Sequence, residues 1–512
     1  MSTAAPTEIT KSQTTGGTLR SDTLATSVVF LMALSCVQPV VAFVRDFLFA
    51  LWLSPNELGT WGIAFSYIML AAPLAILGIP GSFGRYLDHY RERGHLRTFL
   101  RRTGIACAIL TTLAVCIVVS SSSWFSEFVF NTPDQTQIIS QMAFCLIGMV
   151  VYGYMVESLT ALRLFRIVSV LHFVKGLLFA VLGVGLLAFW QLSASSVIIA
   201  HAVACFATSA LALRWLVPAA LADSDRETPK LPHRQLWSKL LPFAFGIWVV
   251  NALANLFGMI DRYMIVHFGG MAPAEAMVEI GNYQSARMVP LLFVGFSAML
   301  GSLTLPHLTR DWESGDRAQV SRTLHLSIKI FAIALFAGGT VLIVGAPLLF
   351  DMGLGGKYDG GLAVLPWTTI GCAWFSLNVL VELYLFCSEK AYLSAVALAV
   401  GLVLNVILNL MLLPVLGLQG AVMATAVATF AVLSIGFVLG HRRGLAFDGR
   451  TLALVLVMPA LALGPWGATA VLLAICAILL QTNWLLSDQE KQQVYAVLST
   501  YIEKAQCLAR RT

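Results

Sequence analysis

Apolar windows of about twenty residues, each long enough to cross a ~30 Å hydrocarbon layer as a helix, recur along nearly the whole of this chain. A single segment in hydrocarbon satisfies its own backbone hydrogen bonds only as a helix. The pattern therefore predicts an all-α polytopic membrane protein of about fourteen spans. Composition closes off the soluble alternative: 58% of the 512 residues are hydrophobic and 11% charged, where a soluble domain carries about 25% charged residues. The predicted spans are 23–53, 59–82, 103–124, 138–160, 168–189 and 193–217, then 241–267, 281–305, 326–348, 362–387, 392–413 and 419–440. They form two six-helix bundles, 23–217 and 241–440, joined by a polar linker at 218–240. A further pair, 451–465 and 466–484, surrounds Gly464–Pro465 and fits either two spans or a re-entrant hairpin. A polar tail, 1–22, precedes the first span. The stretch 485–512 reads as a cytoplasmic or interfacial helix, with Val494, Leu498 and Tyr501 on one side.

Orientation follows from the charges. If the N-terminus is cytoplasmic and every span reverses direction, nearly all of the 32 lysines and arginines fall on the inner side, as the positive-inside rule requires. Arg85, Arg91, Arg93, Arg97, Arg101 and Arg102 crowd one inner loop, and Lys357 stands alone in an outer loop. Both termini are then expected in the cytoplasm. The same distribution accounts for the net charge of +6 without a nucleic-acid partner. The nine cysteines have neither metal-ligand spacing nor a disulfide framework. No loop resembles a phosphate-cradling P-loop. No metal, cofactor or catalytic residue is expected, and the chain reads as a non-enzyme.

The two halves repeat. The first and seventh spans each carry adjacent opposite charges deep in an apolar run, Arg45–Asp46 and Asp261–Arg262. Each is followed by a Gly-aromatic opening, Gly59-Thr-Trp61 and Gly281-Asn-Tyr283. The fourth and tenth spans match through Glu157 and Glu382. Matching spans run in the same direction, so the halves are parallel repeats about an axis along the membrane normal.

A charge at mid-membrane costs roughly 2.5–3.5 kcal/mol on insertion scales, so charges retained there are functional candidates. Arg45, Asp46, Glu157, Lys175, Asp261, Arg262, Arg287 and Glu382 qualify. Arg45–Asp46 and Lys175 also fit snorkelling to an interface, and Asp261–Arg262 a structural pair between helices. Asn251, Asn255 and Arg262 share one face of the seventh span; Trp374, Asn378 and Glu382 follow at four-residue steps on the tenth, and Asn405 and Asn409 on the eleventh. Such residues fit interhelical hydrogen bonds, modest at ~0.6 kcal/mol. They equally fit a wet cavity suited to sugars, with amides for hydroxyls, tryptophan for a pyranose face and arginine for phosphate. Taken singly, each favours packing; converging from both halves with buried arginines, the set favours the cavity.

The run RDFLFALWLSPNELGTWGIAFSYIMLAAPLAILGIPGSFGRYLDHYRERG resembles the opening of polysaccharide-transporter flippases, within the multidrug/oligosaccharidyl-lipid/polysaccharide (MOP) exporter superfamily. The features carried are an intramembrane Arg45, the turn Pro55/Glu57/Gly59, Gly78, and the Arg85–Tyr86 start of a basic loop. The loop KYDGGLAVLPW, 357–367, resembles the family's outer loop before the tenth span. The resemblance implies alternating access in the cytoplasmic membrane: two bundles rock about a cationic cavity that takes the diphosphate and glycan of a lipid-linked oligosaccharide, while the polyprenyl tail stays among membrane lipids. Polysaccharide polymerase or export machinery is an implied partner. Substrate contacts are expected at Arg45, Asn251, Asn255, Arg262, Arg287, Trp374 and Asn378, and ion coupling at Glu157, Asp261 and Glu382. This chain departs from cation-rich relatives in offering few deep cations beyond Arg45, Arg262 and Arg287. The rival readings are a cation-coupled multidrug antiporter of the same superfamily, suited to the carboxylates, and a membrane-embedded polymerase or glycosyltransferase, which would want a large outer loop or a soluble domain with paired acidic residues.

Overall fold

The computed structural model describes residues 24–221, 231–390, 392–446 and 448–492, and every regular element among them is helical. The first half runs α1 (Leu24–Trp52), α2 (Pro55–Ala75), α3 (Phe83–Glu92), α4 (Leu96–Ser120), α5 (Ser122–Phe130), α6 (Thr136–Ala161), α7 (Phe165–Phe189) and α8 (Ala194–Leu221). The second runs α9 (His233–Phe268), α10 (Pro273–Arg287), α11 (Pro290–Glu313), α12 (Arg317–Leu348), α13 (Asp359–Cys387), α14 (Tyr392–Leu416) and α15 (Leu418–His441). α16 (Gly449–Leu456), a 3₁₀ segment (Met458–Leu463) and α17 (Gly464–Gln481) follow. The tail 1–22 and most of the helix expected at 485–512 lie outside the described residues.

Twelve helical runs are long and apolar enough to cross a membrane. The fourteen expected spans differ in two places. α1 corresponds to the first expected span, 23–53, and Gly449–Gln481 counts as one run. The span expected at 281–305 is broken, because Pro290 has no N–H to continue the ladder and disfavours helix in the residue before it. α10 accordingly ends at Arg287 and α11 starts at Pro290.

Neighbour order is the same in both halves. α1 packs on α7, α7 on α8, α8 on α6, and α6 on α4 and α2; α9 packs on α14, α14 on α15, α15 on α13, and α13 on α12 and α10. The bundles meet through α1 and α2 on one side and α9, α10 and α11 on the other. At the centre of this seam the backbones of α2 and α10 nearly touch. A Cβ on Gly59 would overlap the Met277 carbonyl oxygen, and one on Gly281 the Pro55 carbonyl oxygen. Gly59 and Gly281 are equivalent in the repeat, and in the same register Pro55 is equivalent to Met277. Residue i thus meets j where i's counterpart meets j's, the signature of a two-fold contact.

The connections sort onto two faces. One holds the arginines of 85–102, Arg163, Arg310, Arg317, Arg442 and Arg443, and is the basic face below; Lys357 is the one lysine or arginine in the described connections of the other. At the Lys357 face a single apolar core runs across the seam, joining Phe49 and Trp61 to Tyr283 and Tyr358. Tyr358, fully buried, donates to the carbonyls of Ala50 (3.0 Å) and Leu53 (3.1 Å), and Lys357 Nζ donates to Leu51 O (2.8 Å). These are carbonyls from the last turn of α1 and its exit, which a helix leaves without intrahelical donors. The loop before α13 thus caps a helix of the opposite bundle. At the basic face α9 closes on α2 and α3: Trp248 Nε1 reaches Leu74 O (3.4 Å), and the Arg85 guanidinium lies 4.8 Å from the Phe243 ring centre.

The last pair of expected spans is a hairpin. The chain reverses at Gly464, whose φ of +80° suits glycine alone. Lys329, 1% exposed, donates to both Asp448 Oδ2 and Glu490 Oε1 at 3.0 Å, and Arg450 reaches Asn483 O (3.3 Å). Both ends therefore sit at one level of α12. Near the tip, Leu461 packs on Gly339, ten residues or about 15 Å further along α12 and well short of its end at Leu348. α16 with its 3₁₀ segment and α17 therefore pack together along α12 as one hairpin. Burial alone would raise the Asp448 and Glu490 carboxyls; hydrogen bonds from the Thr451 and Ser487 N–H groups and from Lys329 instead hold both below the usual carboxylate range.

Candidate functional site

Asp261 and Arg262 are neighbours on α9, so their side chains leave the helix ~100° apart. Asp261, 2% exposed, points into the second bundle. Its Oδ2 accepts from Tyr283 Oη (3.1 Å) and its Oδ1 from Asn405 Nδ2 (3.1 Å). Asn405 also approaches Thr425 Oγ1 (3.4 Å), and Asn409 donates to Asn405 O (3.0 Å). Both asparagines are fully buried, and Asn409 Oδ1 has no partner. α14 and α15 thus surround a buried carboxylate with amide and hydroxyl oxygens. Asp261 and Arg262 do not pair with each other; each bonds to other partners.

Arg262, 6% exposed, turns toward the seam. Nη1 donates to Gly258 O (2.9 Å) and Nη2 to Gln284 Oε1 (3.0 Å), while Nε has no partner. Arg287, at the α10–α11 break, has no carboxylate partner among the described residues. The Tyr283 ring lies against both cations, its centre 5.5 Å from Arg262 Cζ and 5.2 Å from Arg287 Cζ. Contacts of this kind contribute ~0.5–2 kcal/mol each and leave most guanidinium N–H groups free for an anion.

Two cavities meet here. One, about 230 Å³, lies in the seam between Trp61 and Phe65 of α2 and Asn255, Arg262 and Arg287. The other, about 270 Å³, lies inside the second bundle among Asp261, Tyr283, Arg287, Trp367, Thr425 and Glu382. Arg287, Gly258 and Ala254 border both.

The sequence-predicted residues divide accordingly. Asn255, Arg262 and Arg287 converge on the seam cavity, and Asp261 and Glu382 on the inner one. Asn251 lies a turn toward the basic face and accepts through its carbonyl from Asn255 Nδ2 (2.8 Å). Asn378 is buried and committed to Glu382 Oε1 (3.0 Å). Trp374 is not presented to either cavity: its indole donates to Val455 O of the hairpin (3.0 Å) and packs on Phe430. Arg45 is paired with Asp46 (2.8 Å) and lies over the Phe179 ring inside the first bundle. Lys175 lies over Tyr152. Glu157 is exposed on α6 and lines neither cavity. Tyr283 and Gln284 were not singled out as site residues, although the Gly281-Asn-Tyr283 opening marks Tyr283 as the counterpart of Trp61, which also borders the seam cavity.

Comparison with known proteins agrees with this architecture. A family model described as polysaccharide biosynthesis protein matches residues 24–311. Lipid II flippase MurJ of Bacillus subtilis (strain 168) is 21% identical over 420 residues, covering 75% of this chain and 77% of that protein. DNA damage-inducible protein F of Escherichia coli (strain K12) is 26% identical over 246 residues, covering 46% and 48%. Among solved structures, a lipid II flippase MurJ in an inward closed conformation aligns with a TM-score of 0.67 at 13% identity, over 94% of this chain and 100% of that one. An inward-facing multidrug resistance MATE transporter of the MOP superfamily aligns at 0.61 and 13%, over 83% and 98%. The fold is that of the MOP-superfamily transporters, and the chain is a multi-pass membrane protein of this transporter and flippase type. Because the matching model spans more than half of its length, the protein belongs to the polysaccharide biosynthesis protein family.

Proposed function

We propose that this protein flips a polyprenyl-diphosphate-linked oligosaccharide across the cytoplasmic membrane by alternating access, with the basic face and both termini in the cytoplasm. The observation that carries the reading is the pair of guanidiniums, Arg262 and Arg287, that lie against Tyr283 on the seam cavity with no carboxylate partner among the described residues. Buried arginines left so poorly compensated call for an anion, and a diphosphate suits their forked donors. Trp61 and Asn255 on the same cavity suit the first sugar. A whole glycan needs far more than 230 Å³, so the bundles part along the α1–α2/α9–α11 seam to admit it. Asp261 is the coupling carboxylate, with Asn405, Asn409 and Thr425 supplying further oxygens for a hard cation. One charge moving through 100 mV gains about 2.3 kcal/mol, enough to bias a two-state carrier some fiftyfold.

The multidrug-antiporter reading draws on one observation, that Asp261 and Glu382 share an inner cavity with Trp367 and Tyr283, a lining that suits an organic cation. Proteoliposomes decide between the two. Wild type should translocate a labelled polyprenyl-diphosphate glycan and not a cationic dye, and Arg262→Ala should abolish that activity with normal folded yield. Dye exchange without glycan flipping overturns the proposal. Flipping that continues unchanged after an ionophore collapses the gradients removes the coupling role of Asp261.

A further inference from the structure

One cavity stands apart from the seam. It is a groove of about 370 Å³ between α4 and α6, walled by Gly104, Ala108 and Thr111 on one helix and Ile147, Val151 and Met155 on the other. At its basic-face end the helices are tied: Tyr154 Oη donates to Leu100 O (2.7 Å) and meets Thr103 Oγ1 (3.1 Å). Beyond the tie, small side chains on α4 cannot fill the space to α6, and the groove continues to Cys116. From Gly104 to Cys116 is about 18 Å of helix, comparable with one leaflet of a ~30 Å hydrocarbon core. The lining is almost wholly apolar, which excludes a sugar.

The same α4 face has a different character toward the basic side. Arg97, Arg101, Gly104, Ala108, Thr111 and Val115 follow at helical three- and four-residue spacing. The tail of this face is therefore cationic where a headgroup lies. Two neighbouring arginines are engaged elsewhere: Arg102 donates to Leu231 O (2.8 Å) and Arg163 pairs with Asp88 (2.9 Å). Arg97 and Arg101 are exposed and have no carboxylate partner among the described residues. α4 packs on α2, α3, α5, α6 and α8, all of the first bundle, so an occupant here is not in transit through the seam.

We propose that the α4–α6 groove binds one acyl chain of an anionic phospholipid whose phosphate is held by Arg97 and Arg101. The apolar groove orders the chain, and the arginines select the headgroup. The assignment does not depend on the transported substrate.

Native mass spectrometry of the delipidated full chain, titrated with phosphatidylglycerol or phosphatidylethanolamine, tests it. Wild type should retain one phosphatidylglycerol at least tenfold more tightly than phosphatidylethanolamine. Near a membrane surface each arginine contributes about a fivefold factor toward an anionic lipid, so R97Q/R101Q should lose about tenfold or more for phosphatidylglycerol alone. A108F, which fills the groove, should lose the bound lipid whatever its headgroup. Both variants should keep the wild-type melting profile in detergent, which separates loss of the site from loss of the fold. Equal retention of the two lipids by wild type, or phosphatidylglycerol retention unchanged in R97Q/R101Q, overturns the proposal. Displacement of phosphatidylglycerol by equimolar polyprenyl phosphate overturns it too, since the groove would then belong to the polyprenyl substrate.

Discussion

Closure at the Lys357 face rests on a cap that one bundle places on the other, and removing it should shift the carrier toward opening there. Tyr358→Phe keeps the buried ring and deletes the hydroxyl shared by the Ala50 and Leu53 carbonyls. The lost hydrogen bond is worth about 0.5–1.5 kcal/mol net, and leaving a buried acceptor unsatisfied costs about 1–3 kcal/mol. In an open state those carbonyls are free to meet water, so the cost falls on the closed state alone. A shift of about 1–3 kcal/mol changes the open-to-closed ratio roughly 5–150-fold. The readout is a thiol introduced by Ser66→Cys, a near-isosteric change on the seam cavity, in a background without native cysteines. Its modification by an impermeant maleimide from the Lys357 face should accelerate within that range in Tyr358→Phe. Lys357→Met removes a more exposed bond (2.8 Å to Leu51 O) and should act in the same direction but less. An unchanged rate in Tyr358→Phe, with normal folded yield, would refute the cap as a gate.

Three further outcomes are expected. Gly281→Ala places a methyl group against the Pro55 carbonyl, so crosslinking across the α2–α10 crossing should fall more than in Tyr358→Phe, with each bundle still folded. Lys329→Met leaves Asp448 and Glu490 facing each other as like charges. Because Lys329 helps hold their proton affinities low, its stabilisation is present above the ordinary carboxylate range of about 3.9–4.3 and is lost only as pH falls through the lower folded values. The melting temperature should therefore drop by several degrees at pH 7, and the gap should close in strong acid. Finally, a thiol from Lys357→Cys should react with an impermeant reagent outside cells and one from His95→Cys should not; the reverse pattern sinks the proposed orientation.

What the sequence made legible follows from the physics of lipid. Long apolar runs and sided arginines are visible without a fold, and so was the repeat, because Gly59 and Gly281 must be glycine where two backbones cross. Side-chain direction was less legible. Four-residue steps advance 40° beyond a full turn, so Trp374 and Glu382, two steps apart, diverge by about 80°; one meets the hairpin and the other the cavity. Lys329 gives no sign of its role in the sequence, since the two carboxylates it holds lie 119 and 161 residues away in the chain. Tyr283 and Gln284 gave no charge signal, and their part in the site depends on α10 ending at Arg287.

The repeat also carries an asymmetry that bears on mechanism. Both halves place adjacent opposite charges in their first helix, but in opposite order. In α1 the Arg45 guanidinium folds back onto Asp46, at 2.8 Å from Nη2 and 2.9 Å from Nε, and the pair is self-neutralised over Phe179. In α9 the order Asp261–Arg262 puts the carboxylate toward α14, where Asn405 and Tyr283 take its oxygens, and the cation toward Gln284 and the seam. Separated charges cost more to bury than paired ones, so the second bundle carries electrostatic strain that the first has discharged. Under the proposed function this strain is what two ligands of opposite sign would relieve, a cation at Asp261 and a diphosphate between Arg262 and Arg287. Tyr283 links them, since its hydroxyl is bound to Asp261 while its ring lies against both arginines. A cation that captured Asp261 Oδ2 would release that hydroxyl and free the ring to shift, altering the anion site within one side chain's reach. Coupling between ion and substrate then needs no path through the first bundle, whose part is to supply the opposing wall of the seam.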